Sequence, residues 1–473
     1  MSKSRVFEAV ESEHGALTGL ARDIWEHPEL GLAETRSASL LRETLAEAGF
    51  SVETGIGGMP TAFTASYGGG DPTIGILAEY DALPDLSQTV STSREPVTPG
   101  GAGHGCGHNL FGVAGVGAGL ALASELERGS IDGEVRVYGT PAEESIVGKV
   151  YMARAGAFDD LDAALTWHPC DVSGPQRTSS LAVDSVKYSF EGTPAHAAQS
   201  PAAGRSALDA VQLMNTGVEY MREHMPDRAR IHYTISDGGG MPNVIPSEAT
   251  VWYFIRAPTR PQVDRLSDRV TEIAAGAAQM SGTSMTRNYV TGAWELLSND
   301  EIADVMWENF QDVGPLEYSP ADRDFAAELH ETIDEETIEA RLADLPAPAA
   351  EKVAGESLFT EPVERTDGAP LMMGSTDVSD VSWITPTAQF RVASWAVGTR
   401  PHTWQAVAAS GGFGTKSAPY AAKLLAGTAY DLLTDPDRLA AATAEFEATT
   451  GNRSYETPLP EDAQPPTDVD IGR

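Results

Sequence analysis

Apolar residues follow two spacings along the first 180 residues of the chain. Short apolar runs at 73–78, 134–139 and 163–167 predict strands, whereas the long apolar segment 110–126 and the spaced leucines of 33–48 predict helices. Because strands alternate with helices, this pattern predicts an α/β domain with a largely parallel central sheet.

The pattern changes between about residues 181 and 294, where the predicted order is strand, helix, strand, strand, helix, strand. This order is typical of a ferredoxin-like arrangement, in which two helices cover one face of a small sheet. We therefore expect an inserted α+β domain at 181–294, within a larger domain made of residues 1–180 and 295–450.

Two further segments differ in composition from the rest of the chain. Residues 318–367 are acidic and contain prolines with weak apolar periodicity, which favours a surface insertion. Residues 452–473 are rich in proline and acidic side chains, so we expect a disordered tail there.

The net charge of the chain argues against one class of binding partner. The chain of 473 residues has 69 Asp and Glu against 32 Lys and Arg, a formal net charge of −37. Such a surface repels phosphates and argues against a nucleic-acid partner. The excess of carboxylates favours adaptation to high salt, with an ordinary acidic cytosolic protein as the alternative.

The sequence also predicts a cytoplasmic protein without a membrane partner. The two cysteines, Cys106 and Cys170, cannot form a disulfide framework and fit a reduced compartment. No uncharged apolar run reaches 18 residues, and the polar N-terminus lacks the apolar core of a signal peptide.

Side chains that bind metals recur at the ends of predicted elements. Because the carboxyl ends of parallel strands share one crevice, we expect these side chains to converge. Thiolate, imidazole and carboxylate together favour a divalent transition metal. The groups are Cys106 with His108 in a glycine-rich loop, the adjacent Glu143 and Glu144, His168, and His402.

Four motifs resemble the signatures of one enzyme family. They are Gly-Cys-Gly-His at 105–108, Pro-Ala-Glu-Glu at 141–144, Trp-His-Pro at 167–169 and Gly-Thr-Pro-Ala-His at 192–196. They are similar to those of the metal-dependent amidohydrolases and peptidases of the M20 family. The Cys-Gly-His form resembles its aminoacylase-like branch.

Three further features are similar to the aminobenzoyl-glutamate utilisation type of that branch. They are Asn109 and the segments 375–383 and 401–405. The resemblance implies a phosphorylase/hydrolase-like dinuclear metal catalytic domain and a ferredoxin-like insert that acts as a dimerisation or lid domain. It also implies a homodimer that hydrolyses an N-acyl amino acid, with N-aminobenzoyl as one candidate acyl group.

The resemblance further implies two divalent ions in each protomer, zinc or manganese, with cobalt as a further option. The residues that match the family's metal ligands are Cys106, His108, Glu144, His168 and His402.

The remaining site residues are also assigned through the resemblance. Glu143 matches the general base, and His196 matches a histidine that stabilises the oxyanion, often in the other subunit. Asn243 and Arg256 match positions that contact substrate. Asp81 is expected to contact the loop ligands and orient them without binding the metal itself.

General chemistry supports this mechanism. Amide hydrolysis needs an activated water, which a bound metal supplies at neutral pH, and a carboxylate that takes the proton and passes it to the leaving amine. A cysteine nucleophile at Cys106 is the competing mechanism, but it would leave Glu143, Glu144, His168 and His402 without a purpose.

Two other functions stay open. One is hydrolysis of an N-carbamoyl amino acid at the same site, because the attacked carbonyl group is similar. The other is a non-catalytic metal-binding assembly subunit, which retention of Glu143 and of every ligand argues against.

Overall fold

The structure is a computed structural model that describes residues 2–364 and 371–467. Helices and strands are numbered in chain order. They are α1 (Ser2–Ser12), α2 (His14–Glu26), α3 (Thr35–Glu47), β1 (Ser51–Thr54), β2 (Phe63–Gly69), β3 (Thr73–Ala78), α4 (His108–Glu127), β4 (Gly133–Gly139), α5 (Gly148–Arg154), β5 (Ala163–Cys170), β6 (Gly174–Gln176), β7 (Ala182–Glu191), α6 (Ala207–Met221), β8 (Arg230–Asp237), β9 (Glu248–Ala257), α7 (Arg260–Ser281), β10 (Ser284–Ala293), α8 (Asp300–Val313), α9 (Pro320–His330), α10 (Glu335–Ala343), α11 (Ala347–Val353), α12 (Val378–Ser382), β11 (Thr387–Ala393), α13 (Trp404–Gly411), α14 (Ser417–Thr434) and α15 (Pro436–Thr450).

A mixed sheet lies at the centre of the larger domain. Within the described residues its seven strands follow the order β1-β2-β4-β3-β5-β11-β6. The central strands β4, β3, β5 and β11 are parallel, and the antiparallel pairings lie towards the edges. Every residue of β3 is buried, as in a strand covered on both faces. The predicted α/β domain with a largely parallel sheet is confirmed.

Helix α4 is apolar on all sides because it is enclosed on all sides. It packs on β3 and β4 and is covered by α1, α2 and α14. In the described part of the chain it is the one helix long and apolar enough to span a membrane, and most of it is buried inside the protein. Its apolar character is that of a core helix.

A second, smaller sheet belongs to the inserted domain, here residues 182–293. Its antiparallel strands follow the order β10-β7-β9-β8. Helices α6 and α7 cover one face, where Tyr188, Val211 and Val270 are buried in a core separate from that of the larger domain. This is the ferredoxin-like arrangement expected from the sequence order.

The acidic segment 318–367 contains helices α9 to α11, while its residues 365–367 lie outside the described range. Ser319 and Asp322 form a capping box that starts α9. Arg341 of α10 forms an ion pair with the buried Asp171, at 2.8 Å. The segment is therefore tied to the end of β5 rather than separate from the domain.

The expectation of a disordered tail needs correction for residues 452–467. Tyr455 donates a hydrogen bond of 2.8 Å to Asp380, and Trp294 Nε1 donates one of 2.9 Å to the carbonyl of Glu456. Leu459 is buried in the core beside α5. A few apolar anchors hold this segment despite its acidic composition, and residues 468–473 lie outside the described range.

Candidate active site

A glycine loop brings Cys106 and His108 towards the end of β5. Gly107 has a φ of 75°, which is unfavourable for other residues, and it starts α4. A Cβ atom there would lie 2.9 Å from the Pro169 side chain. The absence of a side chain therefore lets the loop pack against the residue that follows His168.

Two sets of metal-binding atoms share the Cys106 thiol. One set is Cys106, His108 and His168, the other is Cys106, Glu144 and His402, and the atoms within each set lie within 4.8 Å of one another. Cys106 Sγ is 3.3 Å from His168 Nε2, and His402 Nε2 is 3.1 Å from Glu144 Oε2. The structure thus brings together all five side chains expected to bind metal.

The orientation of His168 favours ligation through Nε2. Its Nδ1 lies 2.6 Å from the carbonyl oxygen of Pro169 and donates its proton there, which leaves the Nε2 lone pair facing Cys106. Burial, and then the neighbouring charge of His108, lower the pKa of His168 to about 3. The ring is therefore neutral, as a ligating imidazole must be.

Asp81 holds two ligand-bearing segments at once. Its Oδ1 lies 2.7 Å from His108 Nδ1, and its Oδ2 accepts a hydrogen bond of 2.9 Å from the backbone N–H of Glu144. Burial opposes ionisation of Asp81, but His108 beside it lowers the pKa of this carboxyl. Its placement fits the expected orienting role.

Glu143 faces the same space from a tight turn after β4. Its Oε2 lies 3.9 Å from His108 Nε2. Burial, followed by the charges of Glu79 and Asp377, raises the pKa of Glu143 well above its usual range. A raised pKa makes the Glu143 carboxylate a stronger base, which favours its role in taking a proton from water.

Unpartnered polar atoms test whether a cation fits here. His108 Nε2, Glu144 Oε1 and Glu79 Oε2 are buried and make no hydrogen bond with any described residue, although His108 Nε2 and Glu79 Oε2 lie within ion-pair distance of each other. Leaving such atoms without a partner is costly. The thiol, imidazole and carboxylate groups are donors that divalent transition metals accept, so the residues present fit two such ions.

Three residues near the centre were missed by sequence reasoning. Lys149 is fully buried, and its Nζ lies 2.7 Å from Glu79 Oε1 and 2.6 Å from Asp377 Oδ1. Glu79 Oε2 in turn lies 3.2 Å from His108 Nε2. Two local signals were present: Glu79 is two residues before Asp81 at the end of β3, and Asp377 lies within the segment 375–383 that carries part of the resemblance.

The hydrogen bonds that His196 and the Asn243 carbonyl form with described residues lie within the inserted domain. His196 is exposed, and its Nδ1 accepts backbone hydrogen bonds from Ala198 and Gln199. Asn243 lies beside it, with its carbonyl accepting a hydrogen bond from Ala197 N. No hydrogen bond or ion pair between described residues joins His196 or Asn243 to the cysteine centre.

Arg256 does reach the larger domain. Its Nε donates a hydrogen bond of 3.2 Å to Ser375 Oγ, two residues before Asp377. Its guanidinium also stacks on Phe254, 4.9 Å from the ring centroid.

Residues 75–403 match the Peptidase family M20/M25/M40. The chain belongs to the M20 family. This M20 protein is 39% identical over 468 residues to one of the subunits of the p-aminobenzoyl-glutamate hydrolase of Escherichia coli, with 97% of each chain covered. It is 32% identical to the Xaa-Arg dipeptidase of Mus musculus, over 66% of this chain and 72% of that one.

A solved structure shows the same fold. The M20 chain superimposes on a dinuclear metal-binding peptidase of the M20 family from Bacillus subtilis with a TM-score of 0.50 and 17% identity. The alignment covers 87% of this chain and 98% of that chain. The predicted family, fold and enzyme class are confirmed: the relatives are hydrolases of the amide bonds of N-acyl amino acids.

Proposed function

We propose that this chain hydrolyses an N-acyl amino acid with two divalent ions, zinc or manganese, that share the Cys106 thiol. The observation that carries the proposal is the pair of ligand sets meeting at Cys106, with Glu143 beside them. The related Bacillus subtilis peptidase, a protein that binds two metals, supports the same arrangement. Cobalt is compatible with the same donors.

In this proposal Cys106, His108 and His168 would hold one ion, and Cys106, Glu144 and His402 would hold the other. The ions would polarise the scissile carbonyl and lower the pKa of water. Glu143 takes the proton of the attacking water and returns it to the leaving amine. Asp81 keeps His108 and Glu144 in place through its two hydrogen bonds.

The proposed acyl group is an aromatic one, with N-(4-aminobenzoyl) amino acids as the first candidates. The support is the relative with 39% identity, whose name specifies p-aminobenzoyl-glutamate. Arg256, at the boundary of the two domains, is proposed to bind the α-carboxylate, and Asn243 to contact the substrate backbone.

We also propose a homodimer through the inserted domain, located in the cytoplasm. The exposure of His196, which forms no hydrogen bond or ion pair with the proposed metal ligands among the described residues, supports a role in the site of a second subunit. There it would donate a hydrogen bond to the oxyanion. A two-fold contact would place each His196 in the partner's cleft by the same operation.

The decisive experiment measures hydrolysis by purified protein, freed of metal by a chelator and then reloaded with each ion. We expect activity on N-(4-aminobenzoyl) amino acids to disappear with the metal and to return with zinc, manganese or cobalt. Activity on N-carbamoyl amino acids, assayed in parallel, would favour the carbamoylase alternative. Two bound ions without turnover on either class would favour a non-catalytic subunit.

A further inference from the structure

Arg391 places a positive charge beside His168, one of the proposed metal ligands around Cys106. It lies on β11 directly opposite His168 on the parallel strand β5. Side chains that pair in this way point to the same face of the sheet. The guanidinium is therefore a neighbour of a proposed metal ligand.

The contacts of Arg391 with described residues include no carboxylate. Nε donates a hydrogen bond of 2.8 Å to Gln176 Oε1, while Nη1 lies 3.9 Å from Cys170 Sγ and Nη2 lies 3.1 Å from Met372 Sδ. Sulfur is a weak acceptor. Among the described residues Arg391 forms no ion pair.

This absence is unusual in a chain with more than twice as many acidic as basic side chains. The buried cations Lys149, Arg260 and Arg341 each have a carboxylate partner within the described residues. Asp171, the carboxylate next to Cys170, is already held by Arg341 and by the backbone N–H of Gly398. Arg391 therefore remains available to an anion.

A second donor lies next to Arg391. Gln176 is only 1% exposed, and its Oε1 accepts the hydrogen bond from Arg391, which fixes the orientation of the amide. Its Nε2 is buried and has no partner among the described residues. A carboxylate is the ligand that can accept from a guanidinium and an amide together.

Arg256 supplies another cation along the same segment of chain. Met372 contacts Arg391 and Ser375 contacts Arg256. Three residues of extended chain span at most about 10 Å. Arg256 also forms no ion pair within the described residues. Two guanidinium groups that have no carboxylate partner in the described part of the chain thus border one segment that leads directly to Asp377.

We infer that the amino acid released by this enzyme is dicarboxylic, glutamate or aspartate. Arg391 with Gln176 binds the side-chain carboxylate, and Arg256 binds the α-carboxylate. The inference rests on the proposed function. The inference also favours a substrate like that named for the p-aminobenzoyl-glutamate hydrolase over one like that named for the Xaa-Arg dipeptidase. Arg391 would attract the anionic side chain of glutamate and repel the cationic side chain of arginine.

The test uses four N-(4-aminobenzoyl) substrates, with glutamate, glutamine, alanine or arginine as the amino acid. Glutamine is the control for shape, since it differs from glutamate only in charge and one terminal atom. We expect kcat/KM for the glutamate compound to exceed that for the glutamine compound about 10- to 100-fold, as expected when a charged hydrogen bond is lost. The arginine compound should be the poorest of the four.

Arg391→Met should remove the preference for glutamate, mainly through a higher KM for the glutamate compound, and should lower kcat/KM for that compound far more than for the alanine compound. Arg391→Lys should restore part of the preference, because a point charge replaces the planar donor. Gln176→Met should weaken the preference for glutamate less than Arg391→Met does. Arg42→Met is the matched control, a partly exposed arginine on α3 that contacts Ser39.

Two outcomes would overturn the inference. One is equal activity of the wild type on the glutamate and glutamine compounds. The other is an equal loss on all substrates in Arg391→Met, which would indicate a structural role. If the wild type cleaves no compound, the proposed function fails, and calorimetry decides the inference separately: metal-loaded protein must bind free glutamate more tightly than glutamine, and Arg391→Met must not.

Discussion

Glu34 Oε1 accepts a hydrogen bond of 2.8 Å from the backbone N–H of Ala142. Ala142 has a φ of 54°, in the left-handed region, and immediately precedes the proposed general base Glu143. The other oxygen of Glu34 accepts a hydrogen bond of 3.0 Å from Thr61 Oγ1. A buried carboxyl thereby fixes the strained turn from which Glu143 projects.

The first prediction concerns this carboxyl and pH. Burial, and then Asp81, raise the pKa of Glu34 from 4.5 to about 8. The stability that its proton confers is complete below about pH 4.5 and is lost as the pH rises through about 8. Between pH 5 and 8 the wild type should therefore lose up to about 1.4 kcal/mol per pH unit more than Glu34→Gln. The free energy of unfolding in urea is measured for both proteins across this pH range. The same dependence on pH in both would contradict the prediction.

The second prediction separates the adjacent carboxylates. Glu143→Gln should lower kcat by about 10²–10⁴-fold and keep both metals, because the amide cannot accept the proton. Glu144→Gln should lose metal, since it removes one charged ligand. Metal content, by inductively coupled plasma mass spectrometry, and kcat are measured on the same samples, with Glu134→Gln on β4 as the control. If the two phenotypes were exchanged, the roles of the two residues would be exchanged as well.

The third prediction concerns protons released on metal binding. Contacts with Cys106 and then Glu144 raise the pKa of His402 to about 11, and burial raises the pKa of the Cys106 thiol. Although burial opposes its charge, Asp81 beside it raises the pKa of His108 well above its usual range. All three groups are protonated at neutral pH in the metal-free protein, whereas ligands must be deprotonated. Calorimetry in buffers of different ionisation enthalpy should therefore show release of about three protons. His402→Ala should release about one fewer, and an unchanged number would contradict the assignment.

The fourth prediction tests whether His196 acts in a second subunit. Inactive His196→Ala and Glu143→Gln proteins are mixed and allowed to exchange subunits. Each mixed dimer should contain one complete site, so activity should recover to about half of the wild-type value per mixed dimer. No recovery in dimers verified by mass spectrometry would show that His196 acts within its own chain or outside catalysis.

The fifth prediction follows from the net charge of −37. Carboxylate repulsion is screened by salt, so Tm should rise as KCl increases towards molar concentrations. A Tm that does not depend on KCl would leave an ordinary acidic protein as the better interpretation.

The metal-binding residues could be predicted because their signals are local. Cys106 and His108 share one loop, and Glu143, Glu144 and His168 follow strands with clear apolar patterns. The ends of strands converge in this fold, so the sequence was sufficient to bring these residues together.

Other features depend on contacts that no local pattern encodes. Lys149 pairs with Asp377, 228 residues further along the chain, and a buried lysine in a short helix has no sequence signature. Arg391 lies on β11, and its lack of a carboxylate partner among the described residues is a property of the folded neighbourhood. The tail was misassigned because Tyr455 and Leu459 are only two anchors within an acidic, proline-rich segment.

Strand β11 lies between β5 and β6, although β6 follows β5 after a short turn and β11 begins only at Thr387. A nascent chain leaving the ribosome therefore holds open a gap in its central sheet until more than 200 further residues have been made. The inserted domain is continuous, has its own core, and can form during this interval. The centre at Cys106 is complete only when His402 emerges, so the proposed metal site would be one of the last parts of this enzyme to form.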